Sequence, residues 1–238
     1  MRPGFRLARG RGMKISPSLL PNQRNYEDSY KLAYKLACVE LSKVDLEEQC
    51  RRSGAKYLVT DSQKKVIIEY LNQSYQITFP DIQVSLVDSK AEVPFKDRIL
   101  LLHYLTLAKG TPIANKPVAF SELPEGANYF PTFAKRSIEP LIKYFGSEPH
   151  RLIGAAEGLG GCKVDYGDVA VTINGFSRVP VTIVLWRGDE EFPPRCNILF
   201  DATISHYLST YDITVLCENI TWRLVKFLKG GGAKSGGG

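Results

Sequence analysis

Val179–Asp212 reads VPVTIVLWRGDEEFPPRCNILFDATISHYLSTYD. It holds the chain's densest strand signal and its densest cluster of ionisable side chains. Pro180–Trp186 is β-branched and aromatic at most positions, a composition that suits a pleated, packed surface. Only Thr182 interrupts its apolar run, which predicts a central strand covered on both faces. Gly188 permits a turn, and Pro193 and Pro194 cannot donate to a ladder. Residues 187–194 therefore read as a loop, with Asp189, Glu190 and Glu191 beside Arg187. Arg195–Asp201 is a second strand, so the pair predicts a long-looped hairpin.

Working outward, the chain alternates helices with antiparallel strand pairs. Tyr26–Val44 predicts a helix, since Tyr30, Tyr34, Ala37, Leu41 and Val44 recur at three-to-four spacing. Asp45 caps a short second helix ended near Gly54. Residues 55–87 predict a four-strand meander separated by turn-prone Asp61-Ser62-Gln63, Asn72-Gln73 and Pro80-Asp81. Pro94 opens a helix that Gly110 closes, and Ile99–Leu105 is apolar nearly all round, so that helix is central. Residues 111–134 read as a long irregular segment with a strand near Val118–Leu123. Further helices are expected from Lys135 to Tyr144 and from Pro149 to Leu159. Val169–Ile173 is a strand followed by an Asn174-Gly175 turn. Ser209-x-x-Asp212 is a capping box opening the last helix, whose buried stripe is Ile213, Leu216, Cys217, Ile220, Leu224 and Phe227. The sum is an α+β fold, a mostly antiparallel sheet with N-terminal, central and C-terminal helices packed on it. Residues 1–24 read as a disordered basic leader, 25–229 as a single domain, and 230–238 as a flexible glycine-rich tail.

Composition excludes several classes. The net charge of +6 resides in the leader, where Arg2, Arg6, Arg9, Arg11, Lys14 and Arg24 meet no acid. The remainder balances 25 basic against 25 acidic side chains, so no nucleic-acid partner is expected. No run approaches the ~18 apolar residues of a membrane span. The five cysteines are odd in number and contain no CxxC spacing, which points to reduced thiols in the cytoplasm. Gly158-Leu159-Gly160-Gly161 lacks the Lys-Ser/Thr of a phosphate loop and ends a helix rather than opening one.

The candidate ligand-binding residues are His103, Tyr129, Phe130, Arg187, Asp189, Glu191, Asp201 and His206. Carboxylate and imidazole together can hold a divalent metal, with Asp201 and His206 as the ligands. The competing reading makes 189–191 a solvated loop and Asp201 a turn cap. His103 either hydrogen-bonds a neighbour within the core or faces the same cavity as His206. Tyr129 and Phe130, with Phe133, either lid a pocket or plug the core.

Leu185–Pro194, then Leu199-Phe200-Asp201 and His206-Tyr207-Leu208, resemble a family catalogued only as a domain of unknown function, from anaerobic bacteria and archaea. Leu101–Leu105 and Ser121–Pro124 fit it too, and the resemblance covers roughly residues 28–228. Some relatives are fused to iron–sulfur modules. The resemblance therefore implies anaerobic redox or corrinoid metabolism, with a corrinoid or tetrapyrrole as cofactor beside the divalent metal that Asp201 and His206 suggest, and a metalloprotein or iron–sulfur partner. This chain departs from those relatives in having no clustered cysteines. No catalytic set is complete, so the expectation is a non-catalytic accessory module that binds a cofactor or a metalloprotein. The alternatives are an acid–base or metal-dependent enzyme using Asp201 and His206, and an assembly protein that docks a partner through residues 189–194.

Overall fold

Two antiparallel meanders meet at a single residue pair, Tyr70 opposite Phe176. The computed structural model that shows this describes residues 23–60 and 63–231. The leader up to residue 22, the turn residues Asp61 and Ser62, and the tail from residue 232 lie outside the described residues. Arg24 and Gly230, expected in leader and tail, belong to terminal helices.

The first meander comprises β1 (Lys56–Thr60), β2 (Gln63–Tyr70), β3 (Gln73–Phe79) and β4 (Gln83–Leu86). The second comprises β6 (Cys162–Val164), β7 (Val169–Phe176), β8 (Val179–Trp186) and β9 (Arg195–Asp201), with β5 (Pro117–Ala119) added at its edge. The sheet runs β4-β3-β2-β7-β8-β9-β5, with β1 beside β2 and β6 beside β7. All pairings are antiparallel, and the β8–β9 hairpin spans the loop expected from the sequence. This is the α+β class. The helices are α1 (Gln23–Leu41), α2 (Leu46–Ser53), α3 (Phe95–Leu107), α4 (Gly126–Phe133), α5 (Glu139–Phe145), α6 (Arg151–Glu157) and α7 (Thr210–Gly231). They lie at N-terminal, central and C-terminal positions.

The core explains the order. Leu100, Leu101, Leu102, Tyr104 and Leu105 of α3 are buried, as the apolar run predicts. Tyr104 stacks on Phe176 at 4.0 Å, and Phe176 stacks on Tyr70 at 4.8 Å. Those rings bridge the joint between the meanders, and Leu71 N–H donates across it to the Gly175 carbonyl at 3.1 Å. The capping box forms as read: Asp212 N–H donates to Ser209 Oγ at 3.1 Å, and Ser209 Oγ donates to Asp212 Oδ2 at 2.6 Å. Asp45 likewise accepts from Glu48 N–H, and Gly54 closes α2 in the left-handed region.

Four expectations are corrected. The central strand is fully covered on one face and only in part on the other: Val181, Ile183 and Leu185 are fully buried, whereas on the opposite face Val184 is buried but Pro180 and Thr182 are partly exposed. Asn174-Gly175 is not a turn. β7 continues through it with a bulge, and the chain reverses at Ser177-Arg178. The reason is packing, since a Cβ on Gly175 would stand 2.9 Å from Leu216 Cδ2 of α7. The strand near Val118 ends at Ala119 and gives way to a 3-10 turn over Phe120–Glu122. Finally, 126–133 is helical rather than irregular, and the helix expected from Lys135 begins as a wide π turn over Ala134–Ile138 before α5. That turn sits just before Pro140, which has no N–H and whose ring crowds the carbonyl a turn back; widening the turn relieves both.

Gly175→Ala should therefore lower the unfolding free energy by ~1–3 kcal/mol through overpacking. Combined with Leu216→Ala it should cost less than the sum of the single changes, as urea melts of the three variants will show.

Candidate functional site

The sequence candidates go to several separate places. Asp201 ends β9, and its carboxylate accepts from the backbone N–H of Ala114 (3.1 Å), Lys116 (3.3 Å) and Thr203 (3.0 Å), and from Thr203 Oγ1 (2.6 Å). Burial works to raise its pKa, but those donors together hold it below the ordinary carboxylate value. His206 Nδ1 hydrogen-bonds Thr111 Oγ1 at 2.9 Å, and Tyr207 Oη donates to the Thr111 carbonyl. Asp201 and His206 thus meet at one task, pinning residues 111–116 to the end of β9. Among the described residues, no three His, Cys, Asp or Glu side chains gather as a metal site.

His103, on α3, belongs to a different network. Its Nδ1 lies 2.9 Å from Asp212 Oδ1, whose other oxygen holds Ser209. Asp189 folds its own loop, accepting from the N–H groups of Glu191 and Phe192. Arg187 and Glu191 point to solvent, and Phe192 at the loop tip is 63% exposed. Phe133 is the core plug, stacked on Phe120 at 3.9 Å. Tyr129 and Phe130 stand exposed on α4 and line two different small hollows, Phe130 beside Trp186 and Tyr129 beside Tyr211.

What the fold does gather lies at the joint. A cleft of about 1180 Å³ opens between the β2–β3 turn, the start of α3, the end of α6 and the last turns of α7. Asp97 and Arg223 line its floor and belong to a buried polar network that continues behind it to Tyr70 and Asn219. Asp97, 6% exposed, comes from the first turn of α3. It accepts from Asn219 Nδ2 at 2.6 Å and Arg223 Nη2 at 3.2 Å, with Tyr70 Oη at 3.4 Å. Asn219 also donates to Tyr70 Oη at 2.8 Å, and Arg223 lies over the Tyr70 ring at 5.3 Å. Arg223 reaches Gln73 Oε1 and Tyr75 Oη as well. Burial raises the Asp97 carboxyl, and Arg223 opposes that rise. Burial also drives the Tyr70 hydroxyl well above its usual range, so it stays a neutral donor.

The cleft's rim is strained and bare. Leu71 and Asn72 form the β2–β3 turn with φ of 48° and 60°. Such a conformation costs a bulky residue about 1–3 kcal/mol, and strained turns of this kind cluster at binding sites. Gly160, itself at positive φ, packs on the Asn72 side chain. Gly158 lies under the Phe227 ring, while a Cβ on Gly154 would meet nothing within 4 Å. Glu157 and Lys226 add charge to the walls, and Tyr75, Val93, Leu159 and Phe227 supply apolar surface.

None of the four network residues is legible as a site in the sequence. Asp97 precedes an apolar run and reads as a helix-start acid, and Asn219 belongs to an Asn-Ile-Thr glycosylation pattern. The available signal is the i, i+4 spacing of Asn219 and Arg223 beside the buried stripe of α7, which places both polar groups on one helix face.

Removing Arg223 strands a buried carboxylate. Arg223→Met should cost ~3–5 kcal/mol near neutral pH. Asp97 already has a folded pKa above its unfolded one, so its contribution is most favourable below the unfolded value and is lost as pH rises through the folded value. The variant's deficit should thus shrink as pH falls through that window, read by chemical melts at several pH values. His103 is raised above its ordinary value chiefly by the Asp212 hydrogen bond, against burial. Its stabilisation is full below about pH 6.5 and is lost as pH climbs through the folded value. An NMR titration should show that raised midpoint, and Asp212→Asn should bring it down.

A family model described as a domain of unknown function, DUF3786, matches residues 45–223. No curated protein and no solved structure matches the chain. The matched segment includes β1 through β9 and all four residues of the polar network at the cleft. It spans well over half of the sequence, and the chain belongs to this family of unknown function.

Proposed function

We propose that the protein is a non-catalytic binding module that holds a cofactor-sized organic ligand in the cleft between α3, α6, α7 and the β2–β3 turn. The observation that carries this reading is the Tyr70–Asp97–Asn219–Arg223 network beneath an open cleft of about 1180 Å³. A buried carboxylate with a raised pKa is costly for stability and is characteristic of ligand sites. The cleft exceeds the ~300–1,000 Å³ typical of small-molecule pockets, which suits a macrocycle such as a corrinoid or tetrapyrrole. The exposed Phe227 ring would take one of its faces, and Arg223 and Lys226 its carboxylate or amide arms. Among the described residues, no His, Cys or Met lines the cleft, and the residues that would hold such a ligand are the charged and aromatic ones named above.

The family resemblance extends the reading to a cytoplasmic accessory role beside a metalloprotein or iron–sulfur partner of anaerobic redox metabolism. The free state of all five thiols supports a reducing compartment. Burial pushes Cys50 and Cys196 up to about 12, which makes both inert. A second reading, partner docking through 189–194, is favoured by Phe192, which the Asp189 turn presents to solvent. The enzyme reading through Asp201 and His206 draws no support from a carboxylate whose two oxygens already accept four hydrogen bonds.

The test titrates the protein with cobinamide and with a free-base porphyrin, followed by absorbance and by melting temperature. At least one probe should bind and raise the melting temperature. Gly154→Phe fills open space on the cleft wall, so it should weaken binding at least tenfold with the fold intact. No binding of either probe, or equal binding by Gly154→Phe, contradicts the proposal.

A further inference from the structure

Helix α1 carries two apolar faces, and only one of them packs against the described residues. Tyr34, Ala37 and Leu41 turn inward, toward α3 and the sheet edge. Leu32, Leu36 and Val39 are 60%, 58% and 51% exposed. At 3.6 residues per turn these three stand on the side of the helix opposite the packed stripe. A large apolar side chain exposed singly is ordinary, but three in one row along a helix mark an interaction face. Their spacing, four residues and then three, is that of a coiled-coil seam.

The flanking charges choose the occupant. Lys35 directly precedes Leu36, and Glu40 directly follows Val39, so both border the seam, one on each side. They are five residues apart, the separation at which flanking residues of two parallel helices meet across a seam. Side by side and parallel, two copies of α1 bring each Lys35 to the Glu40 of the other copy. An antiparallel alignment on the same three side chains instead brings Lys35 toward the Lys35 of the other copy, a like-charge contact. Glu40 also holds Lys43 within its own chain at 2.6 Å through Oε1, which leaves it a second oxygen. Because the seam faces away from α3, the two domain bodies fall on opposite sides of the helix pair.

We propose that this face is a homodimer surface, taking α1 of a second copy in parallel with Leu32, Leu36 and Val39 each against its counterpart. The seam is short, and it buries less than the ~1,200 Å² of a standard stable interface. The association is therefore a reversible, concentration-dependent equilibrium. It is independent of the cleft and of what the cleft binds.

Sedimentation velocity of the full chain over a hundredfold concentration range tests it. The wild type should pass from monomer to dimer, and Leu36→Lys should remain monomeric with its melting temperature unchanged. Lys35→Glu should weaken the dimer at least threefold, and the pair Lys35→Glu with Glu40→Lys should restore it. A wild type that stays monomeric throughout overturns the proposal. So does a dimer that Leu36→Lys leaves intact, or a charge swap that stays as weak as the single change.

Discussion

Tyr70 is where the fold and the cleft depend on one side chain. Its backbone supplies the single register pair between the two meanders, and its ring joins the stack with Phe176 and Tyr104. Its hydroxyl, at the same time, takes a hydrogen bond from Asn219 and turns toward Asp97. A sheet joined by one residue pair has little ladder to hold it together, so side-chain packing across the joint must do so. The stacked rings do this with fully buried area, and α7 fills the remainder by sitting tightly on the Gly175 bulge. The cleft is a consequence. Where two meanders meet at a point rather than along an edge, they leave an opening, and α3, α6 and α7 close only part of it.

The polar floor of that opening is a place where the chain accepts a cost. A core of this size can be made from hydrocarbon alone, and a buried ion pair is weak evidence of stability. Asp97 and Arg223 nevertheless face each other under Tyr70, next to a turn in which Leu71 adopts a left-handed conformation. Leu71 itself is buried, so hydrophobic burial offsets the strain of its backbone. Strain, a buried charge and a bare glycine wall occur together here. By contrast, Asp201 and His206 show the same residue types in structural use, with each polar atom spent on nearby chain.

Much of the fold was legible in the sequence because it depended on local rules. The β8–β9 hairpin followed from β-branched composition around a loop with two prolines. The start of α7 followed from Ser209 and Asp212, and α3 from an apolar run that only a central helix can bury. Failures came where a long-range contact overrode a local signal. Asn174-Gly175 carries the strongest turn dipeptide in the chain, yet Gly175 is there because Leu216 approaches from a helix some forty residues later. The helix at 126–133 was obscured by Pro131, and a π turn joins it to the helix that the sequence did show from Lys135. The site was the least legible part. The conspicuous ionisable residues cluster in sequence at 187–212 but disperse in space, whereas Tyr70, Asp97, Asn219 and Arg223 are scattered in sequence and converge only through the β2–β7 joint.

Native-state hydrogen exchange at the Leu71 amide tests this dependence most directly, because that N–H crosses the joint to Gly175. If the joint holds both meanders and the cleft floor as one unit, Leu71 should exchange with the same free energy as the slowest amides of β8. Exchange of Leu71 at a much lower free energy, with β8 still protected, would show that the meanders separate on their own and that Tyr70 does not unite them.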